Sequence, residues 1–423
     1  MSADAQRARP AEMTRSVRRR AFMLAFGTAS ALGLARFAYG LLVPSMQSGL
    51  GWTLGQVGTQ TTVNGLGYLA GALITTAVAR RIGTAATFRL GMVLIAAALA
   101  ASAASGDFGF QLATRAIAGL AGALVFITGG VIASRMAARA GGATPIVIYF
   151  SGAGAAIAFC GAILPPALGH HAGRWPLAWV GLAAAAVIST AVSWTAARGD
   201  DDAAAEGTAA VRFEARGAWR LWRLAASYLL FGAGYIAYIT FLSAYLTSHH
   251  ASVPQIAFTW ALLGVAAVAA PVLWARPISA WPGALALCAL LALLAVSSVL
   301  ALDAAAPAVI GSAVIYGVTF LCVPAGITAL IRAAVPRAGW TSALAVFTVL
   351  FAAGQTGGPY LAGALADRYG TDATLVWTAV LCAAAAAIAA TMRTTIPRVG
   401  SALEMSAGRH SPGLAVSGDN ADD

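Results

Sequence analysis

Long apolar runs constrain this chain more than any other feature, because about 20 apolar residues are enough to cross the hydrocarbon of a bilayer as a helix. Hydrophobic residues make up 60% of the 423 residues and charged residues only 10%, against about 25% charged in an average soluble domain. A soluble fold could not bury this much apolar surface. We therefore predict an all-α membrane protein with twelve transmembrane helices. The predicted spans cover approximately residues 21–46, 57–79, 86–104, 109–134, 144–168, 176–196, 220–247, 255–275, 280–302, 307–331, 340–366 and 371–392.

Arginine placement predicts the orientation of the chain. The 26 basic residues are all arginine. If the N-terminus is cytoplasmic, the arginines outside the spans lie on the cytoplasmic side, except Arg174 and Arg368. Positive charge concentrates on that side in membrane proteins, so we expect both termini in the cytoplasm and the protein in a bacterial inner membrane. Residues 15–35 also fit a signal peptide, but the apolar character continues to Met46 without a good cleavage site.

An internal repeat predicts two parallel halves. Residues 33–46 (GLARFAYGLLVPSM) align with 232–245 (GAGYIAYITFLSAY), and residues 131–154 resemble 327–354. The aligned pairs in the first repeat include Gly33 with Gly232, Arg36 with Tyr235, and Tyr39 with Tyr238. We therefore predict two pseudo-symmetric six-helix bundles. The predicted division is a basic cytoplasmic tail at 1–20, an N-terminal bundle at 21–196, a polar linker at 197–219, a C-terminal bundle at 220–392 and a disordered cytoplasmic tail at 393–423.

Several motifs resemble the major facilitator superfamily of transporters across residues 15–395. The fourth span carries Arg115-Ala-Ile-Ala-Gly119, and the eleventh carries Gly358-Pro359 followed by Asp367-Arg368. The loop after the second span, Val78-Ala-Arg-Arg-Ile-Gly83, matches a family pattern but lacks its aspartate. The repeated stretches in spans 1 and 7 resemble, more narrowly, the YbfB/YjiJ group. The resemblance implies secondary transport by alternating access around a mid-membrane site that spans 1 and 4 line.

Two arginines inside the spans indicate the charge of the solute. Arg36 in span 1 and Arg115 in span 4 have no acidic residue well inside a span to pair with. Ionisable groups at membrane depth are costly and usually functional, and the planar guanidinium suits carboxylate or phosphate. We therefore expect both to bind an anionic or zwitterionic solute. In the alternative interpretation, Arg115 reaches towards the interface or braces helix ends near Asp107.

Neutral polar residues complete the predicted site. Tyr39 follows Arg36 by three residues on one helix face, and Tyr235 and Tyr238 repeat this spacing. Gln60, Asn64 and Tyr68 form one polar stripe, which either faces the cavity or joins helices. Gln355 is a lone amide among glycines. The predicted substrate-binding residues are Arg36, Tyr39, Asn64, Tyr68, Arg115, Tyr235, Tyr238 and Gln355.

Other classes of function find little support. The four cysteines lie within apolar spans without metal-ligand spacing, and no catalytic or nucleotide-binding motif occurs. We expect no enzyme activity, cofactor, metal or nucleic-acid partner. The prediction is a secondary carrier that works as a monomer on a small-molecule substrate in a lipid bilayer. Two alternatives stay open: an efflux pump for hydrophobic or cationic compounds, and a membrane receptor or scaffold that transports nothing.

Overall fold

The computed structural model describes residues 3–169, 171–197, 221–336 and 339–392. Within these residues the chain is helical and has no strands. Eleven helices are long and apolar enough to cross a membrane, and α9 is apolar but has 17 residues. This confirms the predicted fold class. The helices are α1 (Arg15–Leu50), α2 (Leu54–Ile82), α3 (Thr84–Ser102), α4 (Phe108–Ala140), α5 (Thr144–Leu168), α6 (Trp175–Ser193), α7 (Trp222–Ser248), α8 (Val253–Ala280), α9 (Leu285–Ala301), α10 (Ala306–Ala334), α11 (Trp340–Tyr369) and α12 (Asp372–Ala390).

Parts of the predicted domain division fall outside the described residues. These are residues 198–219 of the linker, the whole tail at 393–423, and the side chains of residues 1–14. The α-helix that leads into α1 begins at Ala3, within the predicted N-terminal tail. The exact boundaries of the two bundles stay a prediction.

Glycines let neighbouring helices approach closely within each group of six. In the N-half (α1–α6), a Cβ at Gly67 or Gly71 would collide with the backbone of α4 at Ala116 or Leu120. In the C-half (α7–α12), a Cβ at Gly354 would collide with the carbonyl of Leu229 in α7. Small residues at such contacts are typical of membrane helices, whose association depends on close packing.

The first helix changes its hydrogen-bonding pattern at mid-depth. Residues Ala29–Phe37 are π-helical, between α-helical segments that end at Thr28 and begin again at Tyr39. The N–H of Ala38, for example, donates to the carbonyl of Gly33 five residues earlier, at 2.8 Å. Short π-helical turns are frequent at functional sites. This one carries Arg36.

The two halves meet closely near one membrane face. We call this the distal face; it contains the loops around residues 50–54, 168–175, 248–253 and 369–372, and the opposite, proximal face contains those around 82–84 and 140–144. A Cβ at Gly58 of α2 would collide with the backbone of Pro359 in α11, and one at Gly363 would collide with Leu54. These contacts place the distal ends of α2 and α11 directly against each other.

An aspartate from one half caps a helix of the other at this face. The first N–H groups of a helix have no partner within it. In α2, the N–H groups of Leu54 and Gly55 donate to Oδ1 and Oδ2 of Asp367, at 2.7 and 2.9 Å. Asp367 lies in the last turn of α11, so its carboxylate joins the halves and helps to close the distal side.

Candidate functional site

Arg36 lies near the middle of α1, at the boundary between the halves. It is buried, with 7% of its surface exposed. Its Nη2 donates to Oε1 of Gln355 in α11, at 2.6 Å. The guanidinium carbon lies 5.7 Å from the ring centroid of Tyr68 in α2. The arginine of one half therefore contacts an amide of the other at mid-depth.

Gln355 also joins Arg36 to its counterpart in the internal repeat. The hydroxyl of Tyr235 donates to the same Oε1, at 3.3 Å. Because arginine can only donate, the oxygen of the amide must face Arg36 and the nitrogen must face away. Nε2 of Gln355 and Nε of Arg36 are both buried without a hydrogen-bond partner. The cluster therefore contains two donor nitrogens that lack an acceptor, which is unfavourable unless a further group binds there.

The charge of Arg36 has no counterion among the described residues. The described aspartates near the spans lie at the distal ends of the helices, many residues from the middle of each helix. They are Asp107, Asp303, Asp367 and Asp372. Of these, Asp367 caps α2 and Asp107 caps α4 by accepting from the N–H of Phe110. The mid-depth cluster is consequently positive, and its neighbours are amide and phenol groups.

Aromatic rings adjoin the polar cluster on the side of the C-half. The ring of Tyr235 stacks on Phe231 at 4.7 Å and on Phe351 at 5.6 Å between centroids. Phe351 stacks in turn on Tyr228 at 4.8 Å. Tyr228, Phe231 and Phe351 were not among the residues predicted from the sequence. The spacing of Tyr228, Phe231 and Tyr235 at i, i+3 and i+7 places them on one helix face and was the available signal.

A second series of rings adjoins the cluster on the side of the N-half. Tyr68 contacts Phe126 of α4 at 6.3 Å, and Phe126 contacts Phe150 of α5 at 5.2 Å. A cavity of about 540 Å³ lies against Phe126 and Phe150 and continues along α4 to Ala138, near the proximal face. Contacts between rings therefore connect this cavity, through Tyr68, to Arg36.

Arg115 occupies a separate position within the N-half. It is 1% exposed. Its Nη1 donates to the carbonyl of Ala35 at 2.7 Å, and its guanidinium carbon lies 4.7 Å from the ring centroid of Tyr39 and 5.8 Å from that of Trp179. Its Nε and Nη2 are buried without a hydrogen-bond partner. Through the bond to the Ala35 carbonyl, Arg115 holds α4 against the π-helical segment of α1, one residue before Arg36.

Three other predicted residues also contact groups within their own half. Asn64 donates to the carbonyl of Arg115 at 3.0 Å, and Tyr39 donates to the carbonyl of Val57 at 3.4 Å. Tyr238 shares a hydrogen bond with Ser312 at 2.7 Å and stacks on Tyr316 at 3.9 Å. The structure thus brings together four of the eight predicted residues, Arg36, Tyr68, Tyr235 and Gln355, and places Arg115, Tyr39, Asn64 and Tyr238 in other clusters.

Comparison with known proteins identifies the family. A family model described as "Uncharacterised MFS-type transporter YbfB" matches residues 28–394. The chain belongs to this family of major facilitator transporters. It is accordingly a multi-pass membrane transporter, as the sequence resemblance implied. Among curated protein sequences, none matches the chain significantly.

Solved structures support the major facilitator fold. A variant of the nucleoside transporter NupG superposes with a TM-score of 0.71 at 13% identity, covering 89% of this chain and 99% of NupG. A bacterial homologue of the human lysosomal transporter Spinster, in an inward-facing and unoccupied conformation, superposes with a TM-score of 0.64 at 14% identity, covering 94% and 99%. At these identities the likeness concerns the fold alone.

Proposed function

We propose that this transporter is a secondary carrier for a small organic solute with a negatively charged group. It works by alternating access in a bacterial inner membrane, with the proximal face and both termini in the cytoplasm. The observation that carries the proposal is Arg36, a buried cation between the two halves without a carboxylate partner among the described residues. The arginine-rich loops support the orientation.

The cluster matches the chemistry of a carboxylate ligand. A carboxylate accepts several hydrogen bonds, and bonds to a guanidinium are about twice as strong as those between neutral groups. The unpartnered Nε of Arg36 and Nε2 of Gln355 supply donors, and the Tyr235 hydroxyl supplies a third once it turns from Oε1 to the ligand. An anion bound there would satisfy both the charge and the donors.

The position of the cluster suits alternating access. Arg36 belongs to the N-half, whereas Gln355 and Tyr235 belong to the C-half. A ligand between them therefore contacts both halves at once and responds to their relative movement. In this structure the capping contact of Asp367 and the glycine contacts hold the halves together distally. We infer that solute reaches Arg36 here from the proximal side.

Ligand binding to purified protein tests the charge of the solute. Organic carboxylates, amino acids and tetraphenylphosphonium are screened by thermal shift, since a ligand that prefers the native state raises its stability. We expect carboxylates or amino acids to raise the melting temperature of the wild type and to lose this effect in Arg36→Ala. Arg89→Ala is the matched control, because Arg89 also stacks on an aromatic ring, Trp194 at 5.3 Å, but lies near the proximal end of α3.

The alternatives give different results in the same screen. Stabilisation by tetraphenylphosphonium but not by carboxylates would favour cation efflux, and anion binding that Arg36→Ala leaves intact would refute the proposed site. The best ligand is then tested for flux in proteoliposomes. A carrier moves the labelled ligand across the membrane, whereas a receptor or scaffold binds it without flux.

A further inference from the structure

We propose that the solute is a flat aromatic carboxylate, whose ring packs against the aromatic side chains below Arg36 while its carboxylate binds the polar cluster. This inference rests on the proposed function and adds the shape of the uncharged part of the solute. Two groups of rings carry it, one on each half of the protein.

The C-half supplies a stack of nearly parallel rings. The planes of Tyr228 and Phe351 differ by 14°, those of Phe231 and Tyr235 by 17°, and those of Tyr235 and Phe351 by 21°. Phe351 remains partly exposed. Parallel aromatic faces favour offset stacking of a further ring. The hydroxyl of Tyr235 reaches Gln355, so this stack ends directly at the polar cluster.

The N-half supplies rings on the other side of the same cluster. Tyr68, Phe126 and Phe150 are each partly exposed, although they lie in the membrane-spanning part of the protein. Tyr68 already has the Arg36 guanidinium over its face. An open groove of about 540 Å³ on α4 and α5 reaches Phe126 and Phe150 from the proximal side, and Phe126 contacts Tyr68.

The distribution of polar groups limits the solute to one charged end. Arg36, Gln355 and Tyr235 are gathered at one point, and rings adjoin them towards the proximal side. Ser134 and Arg135 line the far part of the groove beside Phe126, and Arg135 already has an interaction partner. The other buried arginine, Arg115, lies in a separate cluster, where Nη1 donates to the Ala35 carbonyl and the guanidinium stacks on Tyr39, although Nε and Nη2 have no partner. The site therefore suits a monocarboxylate with an apolar, planar body better than a dicarboxylate.

Three probes of similar size separate the contributions of charge and ring. Benzoate has both, cyclohexanecarboxylate has the charge without the flat ring, and benzamide has the ring without the charge. Calorimetric titration of the purified full-length protein measures their binding. We expect benzoate to bind about three- to tenfold more tightly than cyclohexanecarboxylate, from the usual strength of aromatic pairs, and at least about tenfold more tightly than benzamide.

We call the C-half rings Tyr228, Phe231, Tyr235 and Phe351 and the N-half rings Tyr68, Phe126 and Phe150 the two aromatic walls. Variants on both walls test which rings cause the preference for benzoate. In Phe351→Leu and in Tyr68→Leu, we expect the affinity for benzoate to fall towards that for cyclohexanecarboxylate, while the latter changes little. Phe258→Leu is the matched control, because Phe258 is 55% exposed on α8 and belongs to neither wall. It should keep the benzoate preference. Two wall variants are used so that a folding defect in one leaves the test intact.

The two proposals fail in different ways. The aromatic inference is overturned if benzoate and cyclohexanecarboxylate bind equally and both wall variants leave this binding unchanged. If Arg36→Ala abolishes the binding in that case, the proposal of an anion carrier still stands. Benzamide binding as tightly as benzoate, or benzoate binding that Arg36→Ala does not weaken, overturns the proposed function itself. Failure of both carboxylates to bind at millimolar concentration counts against both.

Discussion

Two arginines lie within the membrane-spanning helices, and their neighbours give them different roles. Arg36 contacts the opposite half through Gln355, whereas Arg115 contacts the Ala35 carbonyl and two rings of its own half. A guanidinium that bonds a backbone carbonyl and stacks on rings stabilises the packing of helices. We therefore assign Arg115 to positioning the segment that carries Arg36.

Removal of Arg115 tests this assignment. We expect Arg115→Ala to lower the stability of the protein by on the order of 2–4 kcal/mol, because it removes the buried hydrogen bond to the Ala35 carbonyl and leaves a void beside Tyr39. Arg36→Ala should have a smaller effect, since Gln355 keeps Tyr235 as a partner. Melting temperatures of the two variants measure the difference. An Arg115→Ala protein that melts like the wild type but no longer binds carboxylates would show direct contact with the solute.

Substitution of Gln355 by an acid tests whether Arg36 needs an external anion. In Gln355→Glu, a carboxylate replaces the amide oxygen at 2.6 Å from Arg36 and pairs with it permanently. We expect carboxylate probes to bind at least about tenfold more weakly, without loss of thermal stability. Gln355→Met keeps the charge of Arg36 uncompensated and should retain more binding. Undiminished binding in Gln355→Glu would contradict the role of Arg36.

At the scale of whole helices, local geometry explains which parts of the site the sequence could predict. The internal repeat paired Arg36 with Tyr235, and both donate to one oxygen of Gln355. A regular α-helix would also place Tyr39 on the face of Arg36. The π-helical turn ends between them, so Tyr39 points to Val57 and Arg115 instead. Sequence periodicity does not reveal such a turn, because it depends on packing against α4 and α5.

The aromatic walls were missed for a related reason. Rings within apolar spans are ordinary membrane-helix residues, and only the packing of α7 on α11 brings Tyr228 and Phe351 together. That packing depends on close approach at Gly354 and Gly358. The sequence showed these glycines, but not which helix they would meet.

The cap from Asp367 to α2 should control closure of the distal side. Asp367→Asn removes the charge that the N-terminus of α2 favours, a contribution of about 0.3–2 kcal/mol. We expect faster labelling of an engineered cysteine at Ser45, which lines a distal cavity of about 240 Å³, by a membrane-impermeant maleimide. The four native cysteines are buried and should give little background.

Asp107→Asn is the matched control for this change. Asp107 also caps a helix, but it accepts from Phe110 at 2.7 Å within its own half. This variant should lose some thermal stability without faster labelling. Equal labelling rates in Asp367→Asn and the wild type would show that the cap does not hold the halves together.

At the scale of the whole molecule, the charge of the loops predicts which face meets the cytoplasm. We expect a cysteine at Gly142, on the proximal face, to react with impermeant maleimide only after cells are opened, and one at Gly173, on the distal face, to react in intact cells. Neither glycine has a neighbour where a Cβ would lie, so both positions should accept cysteine. The reverse pattern would invert the proposed orientation.

Under the proposed function, the uncancelled charge of Arg36 has a consequence for the energetics of the transport cycle. For a carrier of monoanions, the occupied centre is neutral, whereas the empty centre keeps a desolvated cation while the halves rearrange. The empty carrier therefore returns less readily than the loaded one, which favours exchange of one anion for another over net movement. When net movement does occur, each monoanion leaving a negatively charged cell interior gains about 2.3 kcal/mol per 100 mV, so the membrane potential drives such a solute outward.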